Sequence, residues 1–201
     1  MKKKIAVTFM TVGLLLILSA LALLLYNNYE NKMAQQNAEA LMESLRGVIS
    51  QGAENKDNIP VDPFDEEMKI KEIDGYGYIG YLSIPSLEID LPVMSDWDYG
   101  KLKISPCRYY GSTKTDNLVI AAHNYRYHFG YLGHLKKGDV LSFTDMESNV
   151  FSYEVVSVEL LMPTDVEKVK DTGDDLILYT CTYGGAKRIT VRCRCVGQST
   201  E

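Results

Sequence analysis

The sequence predicts a mainly β domain, a barrel or sandwich, held outside a membrane by one N-terminal helix. Three observations predict it. From Tyr76 onward the chain is a succession of short apolar or alternating runs separated by Gly, Pro, Asn and Asp. Few windows in that region carry helical periodicity. Ahead of it, Ile5 to Tyr26 is uncharged and mostly apolar. At ~1.5 Å per residue, roughly 22 helical residues cover the ~30 Å hydrocarbon core of a bilayer.

Lys2, Lys3 and Lys4 precede that run and no basic residue directly follows it, which predicts residues 1–4 inside and the remainder outside the cell membrane. A cleaved signal peptide is the competing reading, with Ala20-x-Ala22 as a cleavage site. The apolar run continues past that site and exceeds the usual signal core, which favours a retained anchor over 5–26. Residues 30 to about 50 carry a helical stripe: Ala34, Leu41 and Val48, with Ala38, Leu45, Met42 and Ile49 beside them. This helix either docks on the domain or rises as a stalk. Gly52, Asn55, Asp57 and Asn58 break it, and Pro60 and Pro63 hold an extended linker to residue 75.

The β domain is expected over 76–198. Strands are expected at 78–84, 87–93, 117–122, 140–143, 151–161, 176–180 and 188–196. In 87–93, Leu87, Ile89, Leu91 and Val93 alternate with Glu88 and Asp90, and Pro92 marks an edge or strand end. Residues 117–122 are short and apolar, as a central strand is. A formal charge of −6 with scattered basic residues gives no footprint for nucleic acid. Fourteen tyrosines against five Phe and one Trp suit half-buried strands and binding grooves.

The chemistry concentrates in DLILYTCTYGGAKRITVRCRC, Asp175 to Cys195. Cys181 closes one strand, Gly184-Gly185 permit a tight turn, and Arg188 opens the next strand. An antiparallel hairpin would bring Cys181 and Arg188 to the same rim. A fixed cation near a thiol favours the thiolate, and Arg can donate to a developing oxyanion. His123 ends the strand 117–122, where its imidazole would emerge as an acid/base group. A Cys/His pair supports acyl transfer through a thioester. The plain alternative for a lone cysteine is a structural core residue. His128 and His134 read as surface or packing residues. Cys107, Cys193 and Cys195 form neither a CxxC pair nor zinc-ligand spacing. Cys193 and Cys195 alternate on one strand; Cys107 pairs with one of them, or all three are small core residues. Arg192 and Arg194 are either solvent-facing or a lip of the groove.

These residues resemble the sortase family of membrane-anchored transpeptidases. The family's TLxTC strand end is matched by Leu178, Tyr179, Thr180 and Cys181, with Ile177 in place of its first Thr. Arg188 and the His123 of VIAAHN complete the match. YIGYLSIPSLEIDLPV at 78–93 and HLKKGDVLSF at 134–143 extend it over about 76–197. The resemblance implies a closed eight-stranded β-barrel with short helices. It implies cleavage of an LPxTG-like sorting signal through a Cys181 thioester, with Thr180 at the substrate rim. The acyl group would pass to an amine of the cell-wall peptide or a pilin lysine. Surface proteins or pilins bearing a sorting signal would be the partners. No metal or organic cofactor is required. Some relatives bind calcium near the loop before the Cys strand, where Asp171, Asp174 and Asp175 lie; a solvated turn is the competing reading. Asp62-Pro63-Phe64 resembles the lid of pilus-building members, against a linker merely stiffened by proline. The short segment before Cys181 and the local motifs point to different subclasses. Two other functions use the same domain: a cysteine peptidase that hydrolyses its acyl-enzyme, and a non-catalytic scaffold of pilus assembly.

Overall fold

The computed structural model describes residues 2–54, 67–170 and 172–200. The candidate lid residues Asp62 and Phe64, with Pro60 and Pro63, lie outside the described residues. Anchor and stalk form one continuous helix, α1 (Lys2–Glu54), rather than two. Nothing between them stops a helix: Asn27 to Lys32 contains neither Pro nor Gly. Along the apolar run, Phe9, Leu16, Leu23 and their neighbours are exposed, as a bilayer-facing surface requires. The helix passes the length and hydropathy criteria for a membrane span.

Beyond residue 33, α1 docks on the domain. Ala34, Ala38, Met42, Leu45 and Ile49 are buried at helical spacing, whereas Leu41 and Val48 lie at the margin. Met42, Leu45 and Ile49 pack with Tyr78, Tyr81, Met94 and Met146. Each such buried side chain contributes about 2 kcal/mol of transfer free energy. Arg46 adds an exposed ion pair to Asp90 at 2.6 Å.

The described residues of the domain form nine strands: β1 (Lys71–Ile73), β2 (Tyr76–Ile84), β3 (Ile89–Met94), β4 (Cys107–Tyr110), β5 (Leu118–Ala121), β6 (Val140–Asp145), β7 (Asn149–Leu161), β8 (Leu176–Cys181) and β9 (Arg188–Thr200). Their order is β1-β2-β3-β4-β5-β8-β9-β7-β6, and β2 also pairs with β6. The eight strands β2 to β9 therefore close into a ring, the barrel that the resemblance implies, and β1 is an appendage on β2. Closure needs Gly80, which sits at φ 147° with the Thr144 carbonyl 2.0 Å from where a Cβ would stand. Pro92 is tolerated because β4 meets β3 only at Met94 and Cys107.

Two strands lie where the sequence reading placed none, β1 and β4. β1 reaches β2 through Asp74-Gly75, both at positive φ, as a two-residue hairpin requires. The barrel interior is filled by Leu82, Ile84, Leu91, Leu118, Ile120, Phe129, Phe143, Leu176, Leu178 and Val191.

Candidate active site

Three neighbouring strands carry the three singled-out residues. β5 runs parallel to β8, with Ala121 opposite Tyr179. The pairing continues past the strand end: the Ala122 amide donates to the Tyr179 carbonyl at 3.2 Å, and the Thr180 hydroxyl donates to the Ala122 carbonyl at 2.8 Å. His123 follows at once, level with Cys181. On the other side β9 runs antiparallel to β8, with Arg188 opposite Cys181. His123, Cys181 and Arg188 thus form one row across the strands, with Cys181 in the middle. Adjacent strands lie ~4.8 Å apart, so each flanking backbone is within side-chain reach of the thiol.

The β8–β9 turn holds this geometry. The Thr182 amide donates to the Lys187 carbonyl at 2.9 Å and the Gly185 amide to the Thr182 carbonyl at 2.8 Å. Gly184 and Gly185 supply the positive φ values of 83° and 75°. The Arg188 guanidinium donates from Nη1 to the carbonyls of Gly185 and Lys187, at 3.1 and 3.2 Å. It is parked over its own turn at the mouth of the site.

All three residues and Thr180 line one cleft of about 200 Å³. Thr180 is almost fully buried and its hydroxyl is engaged, tying the start of the His123 loop to β8. One wall is aromatic: Tyr179 meets Tyr109 edge-on at 5.3 Å, Tyr109 meets Trp97 at 5.5 Å, and Trp97 meets Tyr99 at 5.4 Å. The other wall is Leu161, Met162, Pro163, Val166 and Val169, the connection from β7 to β8. Sequence reading singled out neither wall. The tyrosine excess was its signal, but which tyrosines share a groove depends on β4 lying beside β5.

Burial, followed by the charge of Lys103, lowers the His123 pKa, while Glu30 pushes it back up. The imidazole is neutral at neutral pH, the form able to accept a proton. His128 is buried, and neither ring nitrogen has a hydrogen-bond partner among the described residues. Burial and then the neighbouring His123 pull its pKa down to about 4. It is a packing residue; His134 is exposed.

The remaining cysteines are free thiols. Cys107 is buried beneath α1 and Cys193 inside the barrel, in separate apolar clusters, and burial pushes both thiols up to about 12. Cys195 is half-buried, beside Gly197. Of the four, Cys181 alone lines the cleft. Arg192 does not face open solvent: it bonds Glu159, Asp174 and the Lys168 carbonyl. Asp175 accepts from the Cys195 amide at 2.7 Å, and Asp171 lies outside the described residues. Asp174 is thus engaged by Arg192 and Asp175 by a backbone amide, and among the described residues no group of three or more His, Cys, Asp and Glu is placed to hold a metal ion.

A family model for the sortase domain matches residues 82–196, more than half of the chain. The chain belongs to the sortase family. It is 30% identical over 146 residues to sortase A of Bacillus anthracis, covering 67% of this chain and 68% of that one. Among solved structures it is similar to sortase C-3 of Streptococcus pneumoniae, with a TM-score of 0.57 and 25% identity over 85% of this chain and 92% of that chain. Sortase E1 of Streptomyces coelicolor, solved with a tripeptide in its active site, shares the fold. Its TM-score is 0.56 at 20% identity, covering 61% of this chain and 90% of that one. The sortase family is one of cysteine transpeptidases acting on surface proteins, and the N-terminal apolar helix here is compatible with a single-pass membrane anchor.

Proposed function

We propose that this sortase cleaves an LPxTG-like sorting signal through a thioester on Cys181 and transfers the acyl group to an amine. The acceptor is a cell-wall peptide amine or a pilin lysine, and the donors are surface proteins or pilins that carry the signal. The observation that carries this reading is the row His123–Cys181–Arg188 at one end of a cleft with apolar and aromatic walls.

In the first half-reaction the neutral His123 takes the Cys181 proton as sulfur attacks the carbonyl of the scissile bond. Arg188 leaves the Gly185 and Lys187 carbonyls and donates to the oxyanion that forms. The intermediate collapses, His123 returns the proton to the leaving amine, and the thioester remains. In the second half-reaction the acceptor amine attacks the thioester carbonyl and gives its proton to His123. Sulfur leaves and recovers that proton as the thiol. The groups that transfer protons and stabilise charge are then all side chains of this chain. Trp97, Tyr109 and Tyr179 offer flat apolar surface to the Leu and Pro of the signal. The cytoplasmic N-terminus and extracellular domain belong to the same reading.

The test uses the full chain in detergent with a pool of sorting-signal peptides and either oligoglycine or a lysine amine. Mass spectrometry is expected to find a ligated peptide that disappears in Cys181→Ala. Hydrolysed peptide alone with each amine in turn would replace transpeptidation by the peptidase reading.

A further inference from the structure

Helix α1 touches the His123 loop directly. One turn beyond the apolar run, Glu30 receives two phenols: Tyr26 donates to Oε1 at 2.7 Å and Tyr125 donates to Oε2 at 2.9 Å. The next residue, Asn31, accepts the Arg126 amide at 2.8 Å. Tyr125 thus hangs between the anchor helix and the loop. Its ring lies 4.9 Å from that of His123, inclined by 32°, and 5.6 Å from that of His128. The loop is turned by the His128 and Gly130 amides donating to the Tyr125 carbonyl and the Phe129 amide donating to the His123 carbonyl.

This matters because of how the His123 ring is held. Its Nε2 is buried and has no hydrogen-bond partner among the described residues. The terminal torsion of a histidine is soft, so ring packing must fix the plane. Tyr125 supplies that packing, and Glu30 fixes Tyr125. The bond between them is also charge-assisted.

We propose that Glu30 and Tyr125 are positioning residues for His123, so that the membrane-anchor helix itself sets the orientation of the imidazole beside Cys181. This rests on the reading of His123 as the acid/base group. The charges around His123 are Lys103, from the turn after β3, and Glu30, from α1; Arg188 shares the cleft from β9. His128 also lies against Tyr125, and burial keeps it neutral at neutral pH. Glu30 is the anion of this group, so its charge favours the imidazolium that forms during the reaction. The carboxylate in turn is stabilised by its bonds to Tyr26 and Tyr125.

The experiment compares Glu30→Ala, Glu30→Gln and Tyr125→Phe in the full chain in detergent micelles. Histidine ring carbons are followed by NMR against pH, and kcat and KM are measured with a processed peptide. Glu30→Ala and Tyr125→Phe are expected to lower kcat about tenfold with KM changed less than about twofold, the split expected of lost orientation. Glu30→Gln keeps an acceptor for Tyr125, so it should retain most of kcat. It should nonetheless shift the His123 titration, and the acid limb of kcat/KM, down by about 0.5 pH unit. A His123 titration and kcat within error of wild type in both Glu30→Gln and Tyr125→Phe would overturn the proposal. These two near-isosteric variants keep the test decisive should Glu30→Ala fold poorly. If no peptide is turned over by the wild-type chain, the proposed function fails, while the titration still reports whether Glu30 acts on His123.

Discussion

His128 stands in an apolar position with a polar ring, and its neutral state has a consequence for stability. In the unfolded chain its pKa returns to about 6.5, against about 4 in the fold. Between those values the unfolded chain binds more protons, so stability is complete above about pH 6.5 and falls as pH drops towards 4. His123, lowered in the same direction, adds to the trend. About 2 kcal/mol should be lost by pH 5 from His128 alone. Thermal unfolding at pH 7 and pH 5 checks this: the pH sensitivity is expected to shrink markedly in His128→Leu, which also removes two unpaired buried nitrogens. Equal pH sensitivity in variant and wild type would show that His128 is solvated. At this scale the sequence was most legible where chemistry and local pattern coincide. Cys181, Arg188 and His123 each sit at a strand end, and a strand end is visible locally. Glu30 and Tyr125 were not legible, since 95 residues separate them and neither carries a motif.

Among elements, the β7–β8 connection is the wall that one side chain braces. Arg192 joins Glu159 of β7, Asp174 before β8 and the Lys168 carbonyl in the 3₁₀ turn Val166–Val169. Its side chain is only 17% exposed, so these bonds are shielded from the screening that weakens surface pairs. Arg192→Ala frees a wall of the cleft while leaving His123, Cys181 and Arg188 in their strands. KM for a sorting peptide should rise about fivefold, equivalent to roughly 1 kcal/mol of binding, with kcat little changed. Steady-state kinetics checks this; an unchanged KM would mean that the wall does not contact substrate. The long strands were readable because their side chains alternate or run apolar. β4 was not, since Cys107 to Tyr110 is a four-residue run held mainly by β5, with one residue fully buried. β1 was readable in principle: Asp74-Gly75 is a hairpin signal, obscured by the charged Lys71 and Glu72.

At the scale of the whole molecule, the anchor, barrel and cleft form one connected body. Barrel closure between β2 and β6 pairs residues as far apart as Gly80 and Asp145, and no local pattern reports it. The family resemblance, rather than periodicity, led from an open choice of barrel or sandwich to a closed eight-stranded ring. Helix α1 lies against that ring through Leu45 and its neighbours and reaches the active-site loop through Glu30 and Asn31. Cys181 therefore stands on a frame fixed relative to α1. The central claim is that acyl transfer runs through sulfur of Cys181. The most direct measurement is acid-quenched intact-mass analysis of the full chain during turnover of a sorting peptide without added amine, followed by digestion to locate the adduct. The account predicts an added acyl mass on the peptide containing Cys181, removed by hydroxylamine and absent in Cys181→Ser. Ligated product formed by Cys181→Ser, or an adduct on any other residue, would contradict it.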